Sequence, residues 1–494
     1  MPVNDSAARA ASSPPAQSCG CEEHQAALVS RRRMFELTAV AGLVTASTVH
    51  GARVAFAAPS PSPTGTASAS PSPSASPSTS RSPSPSRSVT PSASPSLSPS
   101  GRPSASPSAS GSPLAPVSTT GTADVLVVIS LRGGFDGLSA IVPAGDANYL
   151  RARPSVGLPA STLKKVDTTF GLAPGLEPLY PLWDAGRVAA IHAVGQADDT
   201  RSHFEAAAAM ERAAPGSSVR SGWLDRCIGA AAGAGSLAAA QVGNTTMPAS
   251  LYGEHSKFAV ASLRDIRIGV DENTVPFAAW KRAMTTLHKG ARPMLARPTL
   301  EAVEAVGKLK SLPQAVEAQA AGYPGGGLGN ALHDVAQLIK ANLGLRFATV
   351  DFGNWDMHQN MGGPEGGWMF NQLSELAGAM AAFATELGPL LGQVTVVTLS
   401  EFGRRVEQNG SNGVDHGHGN AVLLMGGGIK GGKVYGAWPG LAPSALDSGD
   451  LAGRTDYRSV MSEILSTRCG VAGVSEVFPG FRPGRLGFTT PRST

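Results

Sequence analysis

The sequence predicts an α/β protein: a wound, mostly parallel sheet flanked by helices, with a partly helical middle insertion. Three observations predict it. Val125-Leu-Val-Val-Ile129 is an unbroken apolar, β-branched run, as expected of a strand buried on both faces. Two consecutive helix–strand units follow at 330–350 and 370–399, the alternation that builds a parallel sheet. These strands run directly into polar, glycine-containing clusters, and open α/β sheets place their sites just past strand carboxyl ends.

The elements follow in order. The first strand delivers Arg132-Gly-Gly-Phe-Asp136-Gly-Leu138. The apolar run Val188 to Val194 leads to Asp198-Asp199-Thr-Arg201-Ser202-His203-Phe204, and Ala206 to Arg212 reads as helix, which puts Ser202 and His203 near a helix N-terminus. From Gln241 to Val270 the pattern is mixed, with short strand-like pieces. From Phe277 to Leu312 it is mostly helical, and Ala321 to Gly329 is a glycine-rich connector. This region, about 240–330, is expected to form a lid or insertion. Asn330 is expected to cap an amphipathic helix with Leu332, Val335, Ile339 and Leu343 on one face and Gly344 as its stop. Strand Arg346 to Val350 delivers Asp351-Phe-Gly-Asn354-Trp-Asp356-Met-His358. A helix from about Phe370 to Leu387 precedes strand Val394 to Leu399, which delivers Ser400-Glu401-Phe-Gly403-Arg404-Arg405. Asp415-His416-Gly-His418-Gly-Asn420 lies in a loop before strand Ala421 to Met425, and Thr455 is expected to cap a closing helix from Asp456 to Leu465.

The N-terminal part is of another kind. Ser30-Arg-Arg-Arg-Met-Phe35-Glu-Leu37 opens a weakly apolar stretch ending at Ala55-Phe-Ala57. A basic start, an apolar middle and small residues at the end make 1–57 an export signal. The paired arginines before Met34-Phe35 resemble the twin-arginine type, whose cargo crosses the membrane folded; the alternatives are an ordinary secretory signal with a chance Arg cluster, or an uncleaved membrane anchor. Its apolar run of about 13 residues is shorter than the ~20 needed to span a bilayer. Residues 58–117 are almost entirely Ser and Pro with some Ala, Thr and Gly, a composition that cannot offset its ordering entropy and reads as a disordered spacer. The α/β domain is therefore 118–494, in an extracellular or cell-wall-associated protein whose mature form does not span the membrane.

Charge excludes one class of partner. The whole chain carries a net charge of +4. That excess sits before Val117, and the rest balances, 32 basic against 32 acidic residues. A nucleic-acid groove needs clustered Lys and Arg on the folded part, and none is found. Of four cysteines, Cys19 and Cys21 lie in the signal; Cys227 and Cys469 remain, and their pairing cannot be read from spacing.

Asp356 with His358, and His416 with His418, stand at i and i+2, so in extended chain each pair points one way. Imidazole and carboxylate together suit Zn²⁺, Mn²⁺ or Fe²⁺ better than Mg²⁺ or Ca²⁺. Asp136 and Glu401, each just past a buried strand, and Asp415 are further candidate ligands. Structural alternatives stand beside these: His–Asp pairs lock turns, and Gly-Phe-Asp136-Gly is also a tight-turn sequence. Ser202 is the candidate nucleophile, needing activation by a metal or base, or else the cap of the helix at His203. His203 is a candidate ligand or base, or the residue that orients Ser202. Arg404 and Arg405 are candidates to grip an anionic substrate through a guanidinium fork, or to form a structural salt bridge.

Taken together, Leu131-Arg-Gly-Gly-Phe-Asp-Gly-Leu138, Arg201-Ser-His-Phe204, Asn354-Trp-Asp-Met-His358, Ser400-Glu-Phe-Gly-Arg404 and Asp415-His-Gly-His-Gly419 resemble the motif set of the DUF1501 proteins, exported bacterial proteins of undefined function. The family is similar to the alkaline phosphatase and sulfatase superfamily. That similarity implies an alkaline-phosphatase-like sheet with a two-metal site at its carboxyl edge. It would place a strand-one ligand at Asp136, a nucleophile at Ser202, and further ligands at Asp356, His358, Glu401 and His416 or His418. One departure matters: where the superfamily has Asp-His, this chain has Glu401-Phe402, so an imidazole is missing. The expected function is hydrolysis of phosphate or sulfate esters by metal-activated Ser202 or water, with one or two divalent transition ions, Zn or Mn, and a small anionic ester as substrate. The alternative is a non-catalytic envelope protein that keeps the fold for binding or assembly, with an exported partner of the DUF1800 type.

Overall fold

The computed structural model describes Ala55–Phe56 and residues 124–492, apart from 198–199, 232–233, 269 and 313–316. The rest of the expected export signal, the Ser/Pro spacer, Cys19 and Cys21 lie outside the described residues.

In strand β1 (Val125–Leu131), Leu126 and Val128 belong to one hydrophobic core, while Val127, Ile129 and Leu131 belong to another. Successive strand residues point to opposite faces, so this division means that both faces of the sheet are covered. The same holds for β6 (Val394–Leu399) and β7 (Asn420–Gly426). Burial on both sides is why these strands read as continuous apolar runs. The remaining labelled strands are β2 (Val188–Gly195), β3 (Ala239–Val242), β4 (Phe258–Val260) and β5 (Phe347–Phe352).

Among the described residues the main sheet has ten strands, with labelled order β4-β3-β5-β1-β6-β7-β2. Ala55–Phe56 pairs at the β4 edge, and short strands at Val434–Tyr435 and Thr455–Asp456 pair with β2. β4, β3, β5, β1 and β6 are mutually parallel. β7 runs antiparallel to both β6 and β2. The sheet is thus mixed and mostly parallel. Because β7 is reversed, the loop before it, not the one after it, shares an edge with the carboxyl ends of β1, β5 and β6.

The longer helices among the described residues are α1 (His203–Arg212), α2 (Trp223–Ala230), α3 (Phe277–His288), α4 (Pro293–Lys310), α5 (Gly327–Lys340), α6 (Trp368–Leu387) and α7 (Tyr457–Thr467). α5 and α6 supply Leu332, Val335, Leu373 and Leu376 to one core, and α2 and α7 supply Leu224, Cys227, Val460 and Ile464 to the other. Cys227 and Cys469 are buried free thiols. Among the described residues, no helix is long and apolar enough to cross a membrane.

Three boundaries differ from expectation. α5 starts at Gly327, not after Asn330, because Gly326 adopts φ 138° and Glu375 approaches it to within 2.3 Å of where a Cβ would lie. Only glycine meets both demands there. The closing helix is capped by Asp456, whose carboxylate accepts from the Arg458 amide, while Thr455 is taken up in pairing with Val194. The expected insertion is also narrower than 240–330, since β3 and β4 are strands of the main sheet.

His192, inside β2, makes the fold sensitive to acid. The Ala193 amide donates to its Nδ1 at 2.9 Å, so Nε2 carries the proton and donates to the Ile141 carbonyl at 3.0 Å. Burial pushes this imidazole down to about 4. Below its ordinary value near 6.5 the unfolded chain binds a proton that the folded chain refuses, so stability falls as pH drops from there through about 4. The expected loss is roughly 3 kcal/mol over that window. Urea unfolding of wild type and His192→Gln across it should show a shallower pH slope in the variant.

Candidate metal centre

Four ligand-type atoms converge at the carboxyl edge. His203 comes from the first turn of α1, Asp356 and His358 from the loop after β5, and His416 from the loop before β7. His416 Nε2 lies 3.0 Å from His203 Nε2, 3.0 Å from His358 Nε2 and 3.2 Å from Asp356 Oδ1. Asp356 Oδ1 is 2.9 Å from His358 Nε2 and 3.6 Å from His203 Nε2. His203, Asp356 and His416 form the group whose atoms all lie within 4.8 Å of one another and could hold an ion, and His358 stands against Asp356 and His416 at its edge.

The outer nitrogens fix the proton positions. His203 Nδ1 meets Glu401 Oε1 at 2.7 Å, His358 Nδ1 meets Asp415 Oδ1 at 2.8 Å, and His416 Nδ1 meets the Arg201 carbonyl at 2.8 Å. All three partners only accept hydrogen bonds, so each Nδ1 carries a proton and each Nε2 faces inward. Nε2 atoms and a carboxylate oxygen this close call for a cation among them, a proton or a metal ion. Imidazoles oriented by carboxylates or carbonyls are the usual outer arrangement of a histidine metal site.

Electrostatics agree. Burial opposes charge on His203, but its bonds to Asp356 and Glu401 outweigh this and push the imidazole up to about 9. Burial also opposes charge on Asp356, yet His203, His358, His416 and Arg404 hold its carboxyl far below the usual range. The same negative field that favours a proton favours a metal cation.

Sequence and structure can be matched residue by residue. Asp356, His358 and His416 are brought together as expected, and His203 joins them as a donor. Glu401 and Asp415 do not reach the centre; each sits one imidazole away. Glu401 is buried and also accepts from the Gly133 amide at 2.8 Å. Gly133 is needed here, because at φ 111° a Cβ would lie 2.8 Å from the Asp356 nitrogen.

Asp136 is not a ligand. Its carboxylate is paired with the buried guanidinium of Arg153, which also donates to Ser139 Oγ and to the Val406 and Arg405 carbonyls. His418 turns away, its Nε2 3.1 Å from the Gln196 carbonyl. Arg404 is not a substrate clamp. With 0% of its side chain exposed, it bonds the carbonyls of Gly133, Gly134, Trp355 and Val414 and meets Asp356 Oδ1 at 2.7 Å. It ties three site loops together and orients Asp356. Ser202 stands at the N-cap of α1, where its side chain accepts from none of the helix amides. Among the described residues, no hydrogen bond links its hydroxyl to the four converging atoms.

The roles of Arg153 and of the Arg201 carbonyl escaped the sequence. A backbone oxygen carries no residue signature, and Arg153 sits 17 residues past Asp136 with no motif joining them.

The family model described as "Protein of unknown function (DUF1501)" matches residues 198–452, a span that includes all four converging residues. No curated protein matches the chain. Similar solved structures include the C-terminal periplasmic domain of EcEptC from Escherichia coli in complex with Zn, at 10% identity and TM-score 0.32, covering 76% of this chain and 94% of that one. They also include alkaline phosphatase from the Antarctic bacterium TAB5, at 10% identity and TM-score 0.27, covering 64% and 95%. A mutant of the TAB5 enzyme with Mg bound is similar at 11% identity and TM-score 0.29, covering 62% and 92%. Likeness at that level leaves the chemistry of the site to be argued from its own residues.

Proposed function

This chain belongs to the DUF1501 family of proteins of unknown function, and from that premise we propose that it is an exported metal-dependent hydrolase of phosphate or sulfate esters. The observation that carries the reading is the convergence of His203, His416 and Asp356, with His358 against the last two and each imidazole oriented from behind. A donor set of imidazole nitrogens and a carboxylate oxygen fits Zn²⁺ or Mn²⁺ better than Mg²⁺ or Ca²⁺. One ion fits rather than two, because Asp136 and His418, which a second ion would use, are engaged elsewhere.

A divalent ion bound there supplies Lewis acidity, lowering the pKa of a water and polarising an ester oxygen. The chain's own residues do the rest. Glu401 and Asp415 keep His203 and His358 in the tautomer that presents Nε2. Arg404 holds Asp356 in place and adds a buried positive charge beside it, so the divalent ion and Arg404 together would balance the carboxylates of Asp356, Glu401 and Asp415. An anionic ester would then be drawn by the ion itself rather than by a surplus of protein charge. The ligands are only partly covered, His358 being 31% exposed at its side chain, which leaves a side open to substrate.

The test is elemental analysis of the purified chain, followed by assay against aryl phosphate and aryl sulfate esters with Zn²⁺ or Mn²⁺. We expect one equivalent of transition metal and metal-dependent turnover. Ser202→Ala should keep most of that turnover, since water rather than the serine hydroxyl attacks; abolished turnover in a variant that retains its metal would make Ser202 the nucleophile. Bound metal without turnover would instead favour the binding or assembly protein.

A further inference from the structure

Away from the metal centre, α3 and α4 form a hairpin of unusual charge. From Asn273 to Leu300 there are five Lys or Arg residues, Lys281, Arg282, Lys289, Arg292 and Arg297, together with His288, and no acidic residue at all. The folded part balances only as a whole, its remainder carrying 27 basic against 32 acidic residues, so this excess is a local cluster that the sequence reading passed over. All five cations are exposed.

The base of the hairpin is ordinary. Phe277 and Trp280 pack against the main core, and the Phe277 ring lies over Gly307, which runs the two helices antiparallel. Cations in the lower part of α4 are paired: Lys310 with Glu272 at 2.6 Å, Lys308 with Glu304 at 2.7 Å and Arg297 with Glu301 at 2.9 Å. The tip differs. Among the described residues, Arg282, Lys289 and Arg292 form no ion pair. Beside them stand the two most exposed leucines among the described residues, Leu287 at 73% and Leu295 at 57%, one on each side of the Lys289–Arg292 turn.

Water alone gives no reason to hold two leucines out among unpaired cations. An anionic bilayer does: its surface attracts Lys and Arg, and its acyl boundary takes up leucine side chains. We infer that the α3–α4 tip is a docking surface for a membrane rich in anionic lipid headgroups, with Leu287 and Leu295 entering the interface and Arg282, Lys289 and Arg292 lying against the phosphates. Both chemical parts of the tip are needed, which distinguishes this occupant from a soluble polyanion.

Hydrogen–deuterium exchange of the full chain reads the contact locally, whatever the N-terminal segment does. With phosphatidylglycerol vesicles, amides between Thr285 and Ala296 should exchange at least about tenfold more slowly, each tip cation contributing roughly fivefold in partitioning. Phosphatidylcholine vesicles and soluble polyphosphate should leave them unchanged, and added salt should erase the protection. The variant R282E/K289E/R292E should bind about a hundredfold more weakly, and L287S/L295S should lose tip protection. Leu287→Ser alone, at so exposed a position, gives the same direction should the double variant misfold. Unchanged exchange with phosphatidylglycerol overturns the inference. So does equal protection by polyphosphate, which would mark an acidic-polymer site, or full protection in the leucine variants.

Discussion

His416→Ala should strip the ion from the protein and abolish ester hydrolysis. His416 Nε2 is the most central of the converging atoms, within 3.2 Å of each of the other three. Loss of an orienting group behind a metal ligand typically lowers affinity about 10–100-fold, so loss of the ligand itself should exceed that. Glu401→Gln supplies the graded comparison. It keeps the shape but no longer enforces the proton on His203 Nδ1, and should weaken metal binding by about 10–100-fold. Isothermal titration with Zn²⁺ on metal-free protein measures both. Thermal unfolding separates a ligand from a structural residue, because bound metal raises the melting temperature of wild type by mass action. In His416→Ala that rise should vanish, while the metal-free melting temperature should hold, since the His416 side chain lies outside both hydrophobic cores. A variant that binds metal as wild type does would end the metal-centre reading.

Asp136→Ala should have the largest effect on stability and little on metal content. The substitution leaves the Arg153 guanidinium, 0% exposed, buried without its counter-charge. Breaking a buried pair from one side costs about 3–5 kcal/mol, a large part of the ~5–15 kcal/mol by which domains are usually stable. Arg153 also holds the Val406 and Arg405 carbonyls, so the loop carrying Arg404 should loosen with it. Adding Arg153→Met to an Asp136→Leu chain should recover part of the loss, because apolar replacement of both partners removes the orphaned charge. Denaturant unfolding measures the cost, and elemental analysis of the folded variant should still find one ion. Loss of the ion from a stable Asp136 variant would restore Asp136 to the ligand set.

Asp136 also shows where sequence reading stops. It shares a local context with Glu401, an acid just beyond a buried strand, and both were expected to bind metal. Which acid becomes a ligand depends on what folds against it: Arg153 claims Asp136, and an imidazole stands between Glu401 and the centre. The i, i+2 argument succeeded for Asp356 and His358, which meet at 2.9 Å. It failed for His416 and His418, because bonds from the Gly403 amide to His418 and from the Gly417 amide to Gly403 hold that loop against its neighbour and send His418 toward Gln196. The fold was more legible. A strand buried on both faces has to be apolar at every position, and β1, β6 and β7 carry that demand openly. The reversal of β7 left no mark, since an antiparallel strand covered on both faces has the same composition as a parallel one.

That reversal sets the order in which the molecule can be completed. With β7 turned round, the last donor arrives on a segment synthesised more than two hundred residues after the first, and it is seated only when a strand near the end of the chain has inserted between β6 and β2. A nascent or truncated polypeptide ending before His416 would hold at most three of the four donors and lack the central one, and one ending between His416 and β7 would carry all four with the last unseated. On the proposed reading, cation uptake would therefore report that β7 has been seated between β6 and β2.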